Sequence, residues 1–567
     1  MLRRPGRSGS CAVALLLVVL SVAATANAHP AVIEMVARGN VPAQRMQQLA
    51  REARDAAARV DTWLHLDASD VALRCQVYPT LEAKGMATSY TLPAHSFPTQ
   101  NLVVCSTEPG FEGELGREVA ACLIMRVLGR SPVDAMEEGL AVACVSHWRG
   151  RDCRYWATRL SGYDDVGDLD HWINNRSFRA ESPLVRRAVA GELVRFLCES
   201  RGVDEVMHIF SGGLPAGERR EAIARAWSDH VRELARERRP LPPRREPTEF
   251  LRGFCHAHEG YAIRDGYISA ASDSALQQLR ALGANAVSLT PFTFMPTAQS
   301  TGPFPFSSGA RAENDESVVH AALAAQRMGM SVMLKPHVWV GRSWPGEISF
   351  DSAADWKRFF AGYERWIRHY ALLAEMEDID FLCVGVELAK ATVGHEADWI
   401  GIAQRLRTVY GGRLTYAANW GGEFEHVTFW KAFDYIGINC YYPLDTHPNA
   451  DDAALRAGAM SIMKRIDAVS RRYHRPVLVT EVGFPSTPAP WRSPHDDSGA
   501  TGAGREAQAR CFDAYLRAVR GCPCVVGVYC WKWPSDMDER DHRDGFILSG
   551  TPAEAVISSW YSRGMAR

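Results

Sequence analysis

From residue 250 to the C-terminus, eight short apolar runs alternate with amphipathic stretches, and few folds can accommodate that alternation. The runs are 253–258, 286–290, 332–337, 381–388, 414–420, 435–441, 477–482 and 525–531. Most are unbroken series of apolar or β-branched residues, the pattern of a strand covered on both faces. Between them, 274–282, 316–328, 354–376, 397–410, 453–473 and 504–519 repeat apolar residues at helical spacing. Strands alternating with helices make parallel β/α units, and eight such units close a TIM (β/α)8 barrel. The expected fold class is therefore α/β, a C-terminal barrel over 250–567.

Two of the runs end in a carboxylate, Phe381-Leu-Cys-Val-Gly-Val-Glu387 and Val477-Leu-Val-Thr-Glu481. Glutamate is rarely buried without a partner, so both are expected at the mouth of the barrel, where this fold keeps its chemistry. Either one alone reads more readily as a surface glutamate just past a strand end. Two of them, closing the fourth and seventh strands of one regular series, can face each other across a cleft. Two carboxyls converging on one bond is the requirement of glycoside hydrolysis, in which one acts as acid/base and the other as nucleophile or base. A spacing of about 5 Å goes with retention of configuration and about 8 Å with inversion.

Other strand ends are dense in aromatic and amide groups: His337 and Trp339, Asn419 and Trp420, Tyr441, Trp531 and Trp533. Sugar rings offer apolar C–H faces and hydroxyls, so these seven are the candidate substrate-binding residues. Each also has a plainer role available. His337 reads as a satisfied core histidine, Trp339 and Trp420 as packing beneath loops, and Tyr441 either as a donor to the nucleophile or as a filler of the barrel top.

The barrel resembles the clan A glycoside hydrolases and, within them, family 113, whose known members are β-mannanases. The motifs are L-K-P-H-V-W at 334–339, V-G-V-E-L at 384–388, L-T-Y-A-A-N-W at 414–420, Y-I-G-I-N-C-Y-Y-P-L at 435–444, T-E-V-G-F at 480–484 and Y-C-W-K-W at 529–533. The resemblance implies a retaining double displacement with Glu387 as acid/base and Glu481 as nucleophile, and no metal or cofactor. One departure stands out. Most of the clan has asparagine before the acid/base, where it reaches the sugar 2-hydroxyl, and this chain has Val386.

Residues 30–235 read as a mainly helical α+β domain. Glu114-Leu-Gly-Arg-Glu-Val-Ala-Ala, followed by Met136-Glu-Glu-Gly-Leu-Ala, resembles the helix pair of gluzincin metallopeptidases, in which H-E-x-x-H and a later glutamate hold zinc. Arg117 and Ala121 stand at the two histidine positions, with Glu118 and Glu138 at the base and third-ligand positions. The domain is thus expected to be metallopeptidase-like without its zinc ligands, and Arg117 to pair with Glu118 or Glu138. An unrelated helical domain that happens to contain E-E-G-L-A is the other reading. Residues 236–249, with four prolines and five arginines, read as an extended, solvated linker.

The first 28 residues combine Arg3, Arg4 and Arg7, an apolar run from Ala12 to Val22 and Ala26-Asn27-Ala28, the pattern of a cleavable signal peptide. Export to a secreted or periplasmic location and a mature start near His29 follow. Removing Cys11 with that leader leaves 13 of the 14 cysteines. Cys144 with Cys153, or Cys75 with Cys105, are candidate disulfides. A net charge of −2 gives no electrostatic case for nucleic acid. After cleavage no stable membrane insertion is expected, and no protein partner of the first domain is indicated. The expected partner is a carbohydrate substrate and the expected function is hydrolysis of a β-linked polysaccharide or oligosaccharide, of β-1,4-mannan type. The alternative is a carbohydrate-binding or scaffold protein whose two domains have both lost catalysis.

Overall fold

The computed structural model of the chain describes residues 31–244, 246–258, 262–536 and 544–565. The signal-peptide segment lies outside them. All eight expected strands form a closed parallel barrel: β5 (Leu251–Ala257), β6 (Ala286–Leu289), β8 (Ser331–Leu334), β10 (Phe381–Val386), β11 (Arg413–Asn419), β12 (Ile436–Asn439), β13 (Val477–Val482) and β14 (Val525–Pro534). Every residue of β10 and β13 is buried, as their unbroken apolar runs require. The intervening helices are capped where the sequence offers an oxygen: Asn314 accepts from the Ser317 N–H and Ser352 from the Asp355 N–H.

One feature was not expected from the sequence. Beyond β6 and β8 the chain continues into a second, two-stranded parallel ribbon, β7 (Phe292–Met295) and β9 (His337–Val340), which rises above the barrel mouth. Each ribbon strand is set off from its barrel strand by a proline, Pro291 and Pro336, and the His337 N–H bonds the Pro291 carbonyl at 2.8 Å.

The first domain has a four-stranded sheet ordered β1 (Val32–Ala37), β2 (Ala72–Tyr78), β4 (Leu102–Ser106), β3 (Ala94–Phe97), with β3 antiparallel to β4. Helices Glu114–Leu128, Asp134–Ala143 and Pro183–Arg201 pack beside it. Arg117 is buried and bonds Glu114 at 3.0 Å and Glu118 at 2.5 Å, and it lies 3.6 Å from Glu138. Arg187 bonds Glu138 at 2.7 Å. Burial pushes the Glu114 and Glu138 carboxyls up, but Arg187 and Arg117 outweigh it and hold both at about 2. Guanidinium groups thus compensate the charge between these glutamates. Purified protein is expected to carry no stoichiometric zinc at this cluster. Metal analysis, with Arg117→Ala as comparison, checks it.

Two expectations are corrected here. Cys144, Cys153, Cys75 and Cys105 are buried free thiols and form no disulfide, as are nearly all the other described cysteines. The proline- and arginine-rich segment is not a free spacer. Arg244 bonds the Ile379 carbonyl and, at 3.1 Å, the Glu375 carboxylate, and lies over the Tyr410 ring at 5.2 Å, strapping the segment under the barrel.

Polar contacts across the domain boundary are buried. Arg368, on the barrel helix Ala353–Met376, bonds Asp165 at 2.9 and 3.0 Å and Glu181 at 2.9 Å. Arg149 bonds Glu377 at 2.6 Å, and Ser182 meets His369 at 2.7 Å. His171 completes a cluster with Asp165 and Glu181, and the Arg368 guanidinium already serves both carboxylates. Among the described residues no helix is long and apolar enough to cross a membrane.

Candidate active site

The strand that carries Glu387 ends in a tight turn. At Gly385 a Cβ would stand 2.7 Å from the Tyr416 ring, so only glycine lets β10 pass there. Two residues on, Glu387 takes φ 53°, a left-handed conformation that costs a side-chain-bearing residue energy. Its neighbours hold it there. The Glu387 N–H bonds the Ala417 carbonyl at 2.9 Å, and the Leu388 N–H bonds the Tyr416 hydroxyl at 2.9 Å. Tyr416 in turn donates to Glu423, which also accepts the Asn419 N–H at 2.7 Å. Burial pushes Glu423 up to about 8, so at neutral pH it is mostly an uncharged prop beneath the turn.

The Glu387 carboxyl accepts Trp344 Nε1–H at 2.8 Å and Asn439 Nδ2–H at 3.1 Å. Thr480 donates its hydroxyl to Asn439 Oδ1 at 2.9 Å, which fixes the amide with its N–H groups toward Glu387. Burial, reinforced by the charge of Glu481, raises the Glu387 pKa, and the Trp344 and Asn439 donors offset part of that rise. Such a carboxyl is suited to carrying a proton.

Glu481 lies in β13 beside Asn439 of β12, 5% exposed. One oxygen accepts Lys335 Nζ at 2.6 Å and the other the Tyr441 hydroxyl at 2.8 Å. Lys335 is fully buried, also donates to the Thr480 carbonyl at 3.1 Å, and lies over the Trp531 ring at 5.7 Å. Burial alone would lower its pKa, but Cys255 and Glu481 more than compensate and raise it. His337 Nε2 is 3.9 Å from Glu481, and burial, then Lys335, holds the imidazole well below its ordinary range, so it is neutral. Burial, then Glu481, raises the Tyr441 phenol, so it remains a donor. The site therefore sets a raised carboxyl against a second carboxyl clamped by an ammonium and a phenol.

The other sequence candidates fall in different places. Trp531 is half-buried and stacks on His337 at 6.4 Å, which puts it in the site. Asn419 closes β11, where its backbone N–H bonds the Glu423 prop, its side-chain Oδ1 accepts the Gly421 N–H, and its side chain also hydrogen-bonds Glu387, lowering that carboxyl's pKa alongside Trp344 and Asn439. Trp420 is half-buried against Tyr442 at 5.6 Å and His495 at 5.4 Å. Trp339 stands out on the ribbon, 60% exposed. Trp533 departs from expectation: it is 1% exposed and packs edge-on against Phe254 at 5.7 Å. The register between β14 and β5 slips between Cys530 and Trp533, so Trp533 does not share the face of Trp531 and belongs to the barrel wall.

Sequence reasoning passed over Lys335, Trp344, Glu423 and Asn439. Lys335 was findable, since a charge closing the apolar run Val332-Met-Leu obeys the logic that singled out the glutamates. Trp344 lies in a loop and Glu423 opens a four-residue helix, Glu423–His426, so neither ends an apolar run and neither carries such a signal.

Glycoside hydrolase family 113 matches by its family model over residues 258–548, within the barrel, and lends no support to a metallopeptidase character for the first domain. No curated protein matches the chain. Among solved structures, the family 113 β-mannanase AaManA from Alicyclobacillus acidocaldarius, in complex with ManMIm, is 28% identical. The similarity covers 56% of this chain and 98% of that one, with a TM-score of 0.48. A family 113 β-1,4-mannanase complex is 24% identical over 56% of this chain and 99% of its own, TM-score 0.48. The endo-β-1,4-mannanase from Thermotoga petrophila is 14% identical over 56% and 77%, TM-score 0.38.

Proposed function

The chain belongs to glycoside hydrolase family 113, and from that premise we propose that it cleaves β-1,4-linked, mannan-type chains with retention of configuration, Glu387 serving as acid/base and Glu481 as nucleophile. It is a glycoside hydrolase. The observation that carries the division of labour is the asymmetry of the two carboxyls. Glu387 is raised, with neutral donors around it, and Glu481 is held by an ammonium.

In the first step Glu387 gives its proton to the glycosidic oxygen as Glu481 attacks the anomeric carbon. The bond to the leaving sugar breaks and a glycosyl–Glu481 ester forms. Glu387, now ionised, takes a proton from water, which attacks the same carbon and returns Glu481 as carboxylate. Tyr441 and Lys335 hold the Glu481 oxygens in place, and Asn439 and Trp344 aim Glu387. Incubation with β-mannan, β-glucan and xylan, following the anomer first released by proton NMR, tests the proposal. A β product from mannan supports it, whereas an α product or no cleavage rejects it.

A pH prediction follows from the same geometry. Since Glu387 must enter protonated, kcat/KM is expected to fall as pH rises through its raised pKa. Trp344 donates to the ionised carboxylate and lowers that pKa, so Trp344→Phe should move the alkaline limb to higher pH. A limb that stays put or moves down refutes the assignment.

The basic, apolar and small-x-small opening of the chain supports export with cleavage after Ala28. N-terminal sequencing of the mature protein from the culture medium or periplasm should begin at His29.

A further inference from the structure

Between helix Arg505–Arg520 and β14 the chain turns at the end of the barrel opposite its mouth, through Gly521-Cys522-Pro523-Cys524. The Cys522 carbonyl accepts the Val525 N–H at 3.1 Å, so Cys522 to Val525 form a β-turn with proline second, where its fixed φ suits the bend. In an extended strand, residues two apart would hold their side chains roughly 6–7 Å from each other. Here the turn brings the Cys522 and Cys524 sulfurs to 3.4 Å. The bend is anchored on both sides, since the Cys522 N–H bonds the Val519 carbonyl at 2.9 Å and the Cys524 carbonyl accepts the Val477 N–H of β13 at 2.8 Å.

This pair differs from the other thiols. Every other described cysteine is buried, and burial raises its pKa, so it stays protonated and packs as a small apolar group. Cys524 is half-buried, and Cys522 beside it is 7% exposed. The Cys522 thiol is lowered, chiefly by the Cys524 S–H and, against burial and Asp467, by the N–H groups of Cys524 and Val525. Cys522 in turn raises Cys524. One proton thus serves two touching sulfurs, which leaves a thiolate ready to attack and a thiol ready to follow.

We propose that Cys522 and Cys524 form a thiol–disulfide exchange site whose substrate is a small, solvent-borne disulfide and whose product is an intramolecular bridge across Pro523. The Cys522 thiolate attacks one sulfur of the incoming disulfide. That S–S bond breaks, a mixed disulfide forms on Cys522, and the first thiolate leaves and takes the Cys524 proton. The Cys524 sulfur then attacks Cys522, the mixed disulfide breaks, and the second thiolate departs with the proton that Cys522 had given up. The two cysteines are oxidised and the incoming disulfide is reduced to two thiols. Sulfurs already in contact need little movement to bridge, and a bridge closed over one residue at the surface is reopened by excess dithiothreitol. The pair stands where β13 and β14 begin, whereas Glu481 lies toward the far end of β13, so exchange does not depend on the hydrolytic reading.

The test uses the full-length chain, folded and fully reduced, at neutral pH with dithiobis(nitrobenzoate), whose released thiolate is coloured. The wild type is expected to release two more thiolates per chain than Cys522→Ser/Cys524→Ser, and its Cys522-Pro-Cys524 peptide to become two hydrogens lighter without an aryl adduct. Cys524→Ser should release one extra thiolate and keep one aryl group on Cys522. Aryl groups retained on both cysteines of the wild type, a peptide left unmodified in the folded chain, or a bridge mapped to other cysteines overturns the proposal. The wild-type mass and peptide map need no variant, so a serine variant that fails to fold does not blunt the test.

Discussion

Glu481→Gln is expected to lower kcat on β-linked chains by about 10⁴- to 10⁶-fold, the scale on which enzymes lose a covalent nucleophile. Both this change and Glu481→Ala remove the counter-ion of the fully buried Lys335, which destabilises. Glutamine disturbs the fold less, because its amide oxygen still accepts from Lys335 and the Tyr441 oxygen can accept the new N–H. Glu481→Ala is the poorer test, since it also removes that acceptor and leaves Lys335 the Thr480 carbonyl and the Cys255 sulfur as its remaining partners. Comparing the two separates lost chemistry from lost structure. Glu387→Gln should behave differently again. It removes the proposed proton donor, a contribution of about 10²- to 10⁴-fold, and the loss should shrink for aryl glycosides whose leaving group departs without protonation. Similar losses for both variants on every substrate would refute the assigned roles.

Arg368→Leu should destabilise the whole chain by about 3–5 kcal/mol, read as a lower urea midpoint with the slope unchanged. The guanidinium is 1% exposed and satisfies Asp165 and Glu181 together, and without it Glu181, held at about 2 chiefly by Arg368 against its burial, is left charged in the interior. Arg154→Ala, which removes a half-open pair with Glu237, should cost under about 1 kcal/mol. If both variants unfold alike, the boundary between the domains is not where the stability lies.

The barrel was legible because parallel strands covered on both faces write themselves as apolar runs, and the two carboxylates stood out because each ends such a run. The ribbon was less legible. Its strands are four residues long, and the expected third strand ran on to His337 without stopping at Pro336, although Thr290-Pro291-Phe292 and Lys335-Pro336-His337 repeat one device at matching places. Strands β1 and β3 of the first domain are edge strands, and neither alternates cleanly in burial, so the periodicity could not reveal them. Trp533 was misplaced because a register slip is invisible in the letters. The pairing of Arg117 with its glutamates was foreseeable from charge alone, since several carboxylates gathered on facing helices demand a cation.

The left-handed backbone at Glu387 has a consequence for inheritance. The aim of the proposed proton donor depends on a buried prop beneath it, Tyr416 on Glu423. Random variation that disables the enzyme should therefore accumulate at position 423 nearly as readily as at the acid itself, and a survey confined to residues lining the cleft would miss it.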